Sequence, residues 1–228
     1  MRIADLLALR PERNAAFDAW AREHPAEKGR ALFGSATLGP VLGLFTLHPG
    51  RSLTMAHVVY ALGGNYESTH RALHRLVDAG ILERQKRGRE LLFTLRRDHP
   101  LLAPLRAACL QLCTVGPRLR WAREELGTGA IEVAFVFGSL ATLEEDAESD
   151  VDLFVVGSVL LPALSRHLGG LSDEIERPVN PVCRTPEQIR ARFDEAHSFY
   201  RSVWSRPRIP VIGTDEAVRA VVGLDAAA

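Results

Sequence analysis

At 228 residues the chain has room for two small domains or one large one, and its 46% hydrophobic and 25% charged content is ordinary for a globular protein. Its 28 basic residues balance 28 acidic ones, which excludes an overall field for nucleic acid and leaves any DNA site to local clustering. The three cysteines, Cys109, Cys113 and Cys183, make neither a metal nor a disulfide framework.

No charged-then-apolar leader is present, and no apolar run approaches the roughly 18 residues of a membrane span. A soluble, cytoplasmic protein with no membrane partner is expected. Residues 1–30 read as one or two helices carrying Ile3, Leu6, Leu7, Phe17 and Trp20, with breaks near Arg10-Pro11 and His24-Pro25. This arm suits packing on its own domain and on a partner subunit equally.

Over 31–98 the pattern is helix, helix, helix, hairpin. The run 37–47 is apolar but carries Gly39, Pro40 and Gly43, which weaken its first turn. Thr54 is placed to cap a helix that Gly63-Gly64 stops, and Asn65 to cap the next. In that second helix Thr69, Ala72, Leu73, Leu76 and Val77 share a face. Gly80 ends it, and Arg87-Gly88 read as a tight turn between strands 83–86 and 89–95.

This order resembles the winged helix-turn-helix of small bacterial regulators of the ArsR and MarR type. The resemblance implies a recognition helix over 66–79 that enters the major groove of double-stranded DNA, with Ser68, His70 and Arg71 at base edges and Arg75 beside them. Glu67 and His74 share the outward face. Arg84, Lys86, Arg87 and Arg89 form a local basic cluster on the hairpin, as a wing on phosphates would. Proteins of this type commonly bind as dimers, so a homodimer is implied. A solvated basic hairpin, or a helix pair serving protein contacts, would show the same pattern.

Residues 99–127 read as a helical linker with a stripe of Leu101, Leu102, Leu105, Ala108, Cys109 and Leu112, broken at Gly116-Pro117. The stripe is open to dimerisation or to docking one domain on the other. Cys109 and Cys113, one turn apart, read as small core residues, and Trp20, Trp121 and Trp204 as core or interface anchors. His70 and His74 are four apart but have no evident third ligand, so they read as a solvent or DNA face rather than a zinc site.

The apolar run 131–137 breaks at Gly138-Ser139, passes through an acidic segment and resumes as an apolar strand over 150–156. On a strand, side chains two apart share a face, so Asp150 and Asp152 project together, as a divalent cation site requires. A Gly-Ser turn lets backbone and hydroxyl approach a phosphate closely. Beyond it, 160–171 reads as a helix ending near Gly169-Gly170, and 177–185 as a strand that Pro178 and Pro181 push to a sheet edge. A helix from Pro186 through Trp204, a strand over 209–212 and a helix over 215–222 follow.

Gly138-Ser139, ten intervening residues and Asp150-x-Asp152 resemble the nucleotidyltransferase domain of the DNA polymerase β superfamily, closest to its small prokaryotic members. Gly138, Ser139, Ala141, Ser149, Asp150, Asp152 and Leu153 carry the match; Gly34-Ser35 lacks a following Asp-x-Asp and is a decoy. The resemblance implies Asp150 and Asp152 as catalytic and metal-binding residues for Mg2+ or Mn2+. It further implies Gly138, Ser139 and Ser149 at a nucleoside triphosphate.

Two positions depart from the family pattern. A third carboxylate, on a later strand, aligns with Asn180, which is neutral and cannot act as a base; Glu174 and Glu176 are the nearby acids that would have to substitute. Arg-Gly is replaced by Thr142-Leu143, which removes a phosphate partner.

The expected fold is α+β: an arm over 1–30, a winged helix-turn-helix domain over 31–98, a linker over 99–127 and a nucleotidyltransferase-like domain with a mixed sheet over 128–228. The expected function is a DNA-binding transcriptional regulator with a nucleotide- and Mg-binding domain. The alternatives are an active nucleotidyltransferase acting on a protein or RNA hydroxyl, as in a toxin–antitoxin pair, and an interaction module with both sites decayed.

Overall fold

A computed structural model describes residues 15–24, 31–145, 149–195, 197–221 and 223. The helical expectations for 1–14 and 25–30, the middle of the acidic segment at 146–148 and residue 222 lie outside the described residues. The protein is α+β, with helices and two sheets, one of them mixed. No helix among the described residues is long and apolar enough to cross a membrane.

The elements run α1 (Ala15–Glu23), α2 (Leu38–Leu47), β1 (Ser52–Thr54), α3 (Met55–Leu62), α4 (Tyr66–Asp78), β2 (Leu82–Arg87), β3 (Glu90–Leu95) and α5 (Leu102–Leu112). They continue through α6 (Val115–Leu126), β4 (Val133–Phe137), α7 (Ser139–Thr142), β5 (Val151–Val156), α8 (Leu161–Leu168) and α9 (Leu171–Ile175). Last come β6 (Val179–Arg184), α10 (Pro186–Asp194), α11 (Ser198–Ser205), β7 (Ile209–Ile212) and α12 (Asp215–Val221). The chain divides into two compact units, 1–114 with 170–176, and 115–169 with 177–228.

In the first unit every residue of α2 except Pro40 is buried, so the helix is apolar all round rather than amphipathic. Gly39, which weakens its first turn, is required there: a Cβ would stand 2.5 Å from Cys113 Sγ and 2.9 Å from the Phe33 ring. Val41, Phe45, Leu53, Val58, Leu73 and Phe93 fill the core. Thr54 accepts the His57 N–H (3.2 Å) and Asn65 the Glu67 N–H (2.8 Å), so both expected helix starts are capped by side chains. The sheet runs β1-β3-β2, antiparallel throughout. Arg87 pairs with Glu90, which moves the hairpin turn one residue on, to Gly88-Arg89. The three-residue β1 escapes a periodicity reading because it is too short to alternate.

The segment 170–176 belongs to this unit and is held by polar contacts. His48 donates from Nε2 to the Ile175 carbonyl (2.6 Å), while Arg51 Nη1 and His57 Nε2 bind the Glu176 carboxylate at 2.5 and 2.8 Å. Burial alone would raise the Glu176 pKa, but the hydrogen bond and charge of His57, joined by Arg51, hold it below the usual glutamate range.

The second unit is built on a sheet of order β6-β5-β4-β7, antiparallel except for the parallel pair β5–β6. Val133, Phe135, Phe154 and Val156 face Ile189, Tyr200, Val203 and Val218. β6 is an edge strand, as its prolines imply. The Val151 N–H donates to Pro178 O and the Gly157 N–H to Arg184 O, so even-numbered β6 residues face β5. Pro181 therefore turns its missing N–H outward, where no ladder bond is lost and the edge is blunted.

One expected break falls elsewhere, and one unexpected break divides a helix. Pro117 sits in the first turn of α6, where its absent N–H is unpaired anyway, so the break lies before Val115. The single helix expected from Pro186 to Trp204 is two, α10 and α11, whose Phe193 and Trp204 rings meet edge-on at 5.5 Å.

A carboxylate with a lowered folded pKa stabilises above its unfolded pKa and ceases to do so as the pH falls through the folded value. Glu176→Gln should therefore cost about 1 kcal/mol in urea unfolding at neutral pH and nothing well below about pH 4, where the wild-type side chain is also neutral.

Candidate nucleotide and DNA sites

Strand β4 is followed by Gly138, whose φ of 74° and ψ of −155° lie in a region only glycine adopts readily. The missing side chain matters as much as the dihedral, because a Cβ here would overlap the Asp152 carboxylate. Antiparallel pairing sets Asp152 beside Phe137, and parallel pairing sets Asn180 on its other side. Three strands thus contribute one row of side chains at one end of the sheet.

Within this row the Asn180 amide donates from Nδ2 to Asp150 Oδ2 at 2.7 Å. Burial first, and then the charge of Asp150, push the Asp152 pKa up. Asp150, Asp152 and Asn180, each identified from sequence, are therefore neighbours.

The turn around the row is pinned on both sides. The Thr142 hydroxyl has Gly138 O, Ser139 O and Glu144 Oε2 within hydrogen-bond reach as acceptors, at 3.4, 3.2 and 3.0 Å. Leu143 follows at φ 62°, a left-handed conformation that costs a non-glycine residue about 1–2 kcal/mol. On the other side Arg177, 2% exposed, donates from Nη1 to the Ser149 carbonyl, fixing the backbone just before Asp150.

Arg177 was not singled out by the sequence, where it is one arginine among many ahead of a proline. Neither was the His48, Arg51 and His57 set. Glu176, considered as a replacement carboxylate, has its oxygens engaged by Arg51 and His57. Ser139 opens the four-residue α7 and is half-buried, as is Ser149.

Among the described residues no group of three or more His, Cys, Asp or Glu side chains is placed to hold a metal. Two carboxylates and an amide do fit Mg2+, which keeps several waters and takes one or two carboxylates alongside substrate phosphates. The like charge of Asp150 beside Asp152 suits a cation there.

In the first unit α4 buries Thr69, Ala72, Leu73 and Leu76 and exposes His70, Arg71 and Arg75. The Ser68 hydroxyl donates to Asn65 O at 3.1 Å and Arg71 pairs with Glu67, so both have partners within the helix. The His70 and His74 rings lie 4.2 Å apart. On the hairpin Arg84, Lys86, Arg87 and Arg89 are all exposed. β2 is also a sheet edge, where basic side chains discourage edge-to-edge pairing.

No protein-family model, curated protein or solved structure matches this chain.

A raised folded pKa destabilises the ionised state, so Asp152 favours the fold below its unfolded pKa and ceases to as the pH rises through the folded value. Asp152→Asn should stabilise the cation-free protein by about 0.5–1 kcal/mol at neutral pH, with the gain vanishing in acid. Urea titrations in a chelator, one at neutral pH and one near pH 3, measure both points.

Proposed function

We propose that this chain is a DNA-binding transcriptional regulator whose first unit is a winged helix-turn-helix and whose second, nucleotidyltransferase-like unit binds a nucleoside triphosphate with Mg2+ or Mn2+. The observation that carries the reading is the row Phe137, Asp152 and Asn180, with the Asn180 amide on Asp150. It leaves two carboxylates for a cation and sets an amide where a general base would stand. Bound there, the cation would neutralise phosphate oxygens. Asp150 and Asp152 would hold it, Gly138 leaves room for the Asp152 carboxylate, and Arg177 fixes the Ser149–Asp150 backbone. Loss of a general base typically lowers a rate by about 10²–10⁴ while binding persists.

A second reading, a nucleotidyltransferase acting on a protein or RNA hydroxyl, is favoured by Asp152 itself. Together with Asp150 it supplies the paired carboxylates on which metal-assisted transfer relies.

Calorimetry and turnover separate the two. A triphosphate should bind only with a divalent cation, and Asp150→Asn or Asp152→Asn should abolish binding; if both variants bind like wild type, the site is misassigned. With labelled triphosphate the wild type should transfer slowly or not at all, and Asn180→Asp should raise transfer. Robust wild-type transfer would favour the second reading.

For DNA, α4 would lie in the major groove and the hairpin along phosphates, a dimer meeting half-sites about one helical turn apart. Removing any one charge among Arg84, Lys86, Arg87 and Arg89 should weaken all duplexes alike and lower the salt slope by about one. Replacing His70 or Arg71 should instead narrow the gap between specific and random duplexes by about 1–3 kcal/mol. If no duplex binds even at low salt, the regulator reading fails.

A further inference from the structure

The aromatic layer on one face of the second sheet does not stop at its buried core. Phe135 and Phe154 stack at 5.3 Å, and Trp204 meets them edge-on at 5.5 and 5.1 Å. Tyr200 meets Phe154 at 6.2 Å and is itself buried. These rings are explained by burial alone. Phe199 is different: it is 39% exposed, and its ring stands edge-on to Phe137 at 6.0 Å.

The two ends of α11 establish which way this layer points. Trp204, near its C-terminus, lies on Phe135, whereas Phe199, in its first turn, lies on Phe137. Going from Phe135 to Phe137 along β4 leads to Gly138, and Phe137 pairs directly with Asp152. The partly exposed ring is therefore at the end of the sheet that carries Gly138, Asp152 and Asn180.

We propose that Phe199, backed by Phe137, is the stacking platform for the base of the bound nucleotide, and that the site takes purine nucleoside triphosphates in preference to pyrimidine ones. The proposal rests on the nucleotide reading above and deepens it. A base with its phosphates at Asp150 and Asp152 has an aromatic surface within one residue pair of that row, and every base offers a π-face to it. The Tyr200 hydroxyl accepts from Arg184 Nε at 2.9 Å, and Arg184 pairs with Val156 at the other end of the strands from Asp152, so overlap area rather than a hydrogen bond from this residue decides the preference. Larger purine rings gain more than pyrimidines, and adenine and guanine are separated little.

Calorimetry with Mg2+ tests this on wild type, Phe199→Ala and Phe199→Trp, using ATP, CTP and inorganic tripolyphosphate. Wild type should bind ATP several-fold more tightly than CTP. Phe199→Ala should lose about tenfold in ATP affinity, about 1.4 kcal/mol, while tripolyphosphate affinity stays unchanged and Phe199→Trp restores ATP. The platform is overturned if Phe199→Ala binds ATP like wild type, if ATP and tripolyphosphate weaken together, or if wild type does not distinguish ATP from CTP. If wild type binds neither ATP nor tripolyphosphate, the nucleotide reading itself fails and takes the platform with it.

Discussion

The carboxylate of Asp152 is the group around which the second unit is arranged. Strand pairing sets it between Phe137 and Asn180, Gly138 leaves it space that any other residue would fill, and Asp150 presses on it with like charge. A structure selected only for stability would put an apolar or neutral side chain at such a position. Backbone strain at Leu143 and the buried Arg177 on the Ser149 carbonyl flank the same place. Strain and unfavourable charge persist where the surroundings over-determine them, and they collect at sites that work on a ligand.

Asn180 gives that arrangement its chemical sense. Its amide donates one hydrogen bond to Asp150, yet it can neither take a proton nor add a third charge. A binding site for phosphate-bridged Mg2+ is satisfied by one or two carboxylates, whereas transfer also calls for a base. This difference underlies the proposal that the unit reads a nucleotide as a signal, with the aromatic layer extending toward the same strand ends to receive its base.

The first unit is stabilised in another way. Its α2 is buried on all sides, its two capped helices bring Thr69, Ala72, Leu73 and Leu76 inward, and the face left outside carries the histidines and arginines of α4. A polar anchor of this unit comes from far along the chain. Glu176, with φ of 51°, places its carboxylate between Arg51 and His57 while His48 secures the preceding carbonyl. None of these histidines stands in a ligand spacing, and their role is to hold a distant segment.

Much of this was legible in residue order. Thr54 and Asn65 announced two helix starts, Gly80 an end, Pro181 an edge strand, and Gly138-Ser139 with Asp150-x-Asp152 the turn and paired carboxylates. These are local signals, because a cap, a turn or a shared strand face is decided within a few residues. Only the tertiary structure decided that Asn180 donates to Asp150, that Phe199 meets Phe137, and that 170–176 packs with the N-terminal unit. Each of these depends on strand register or on contacts between residues tens to more than a hundred positions apart. Periodicity constrains which face a side chain takes, but not which distant side chain it finds there.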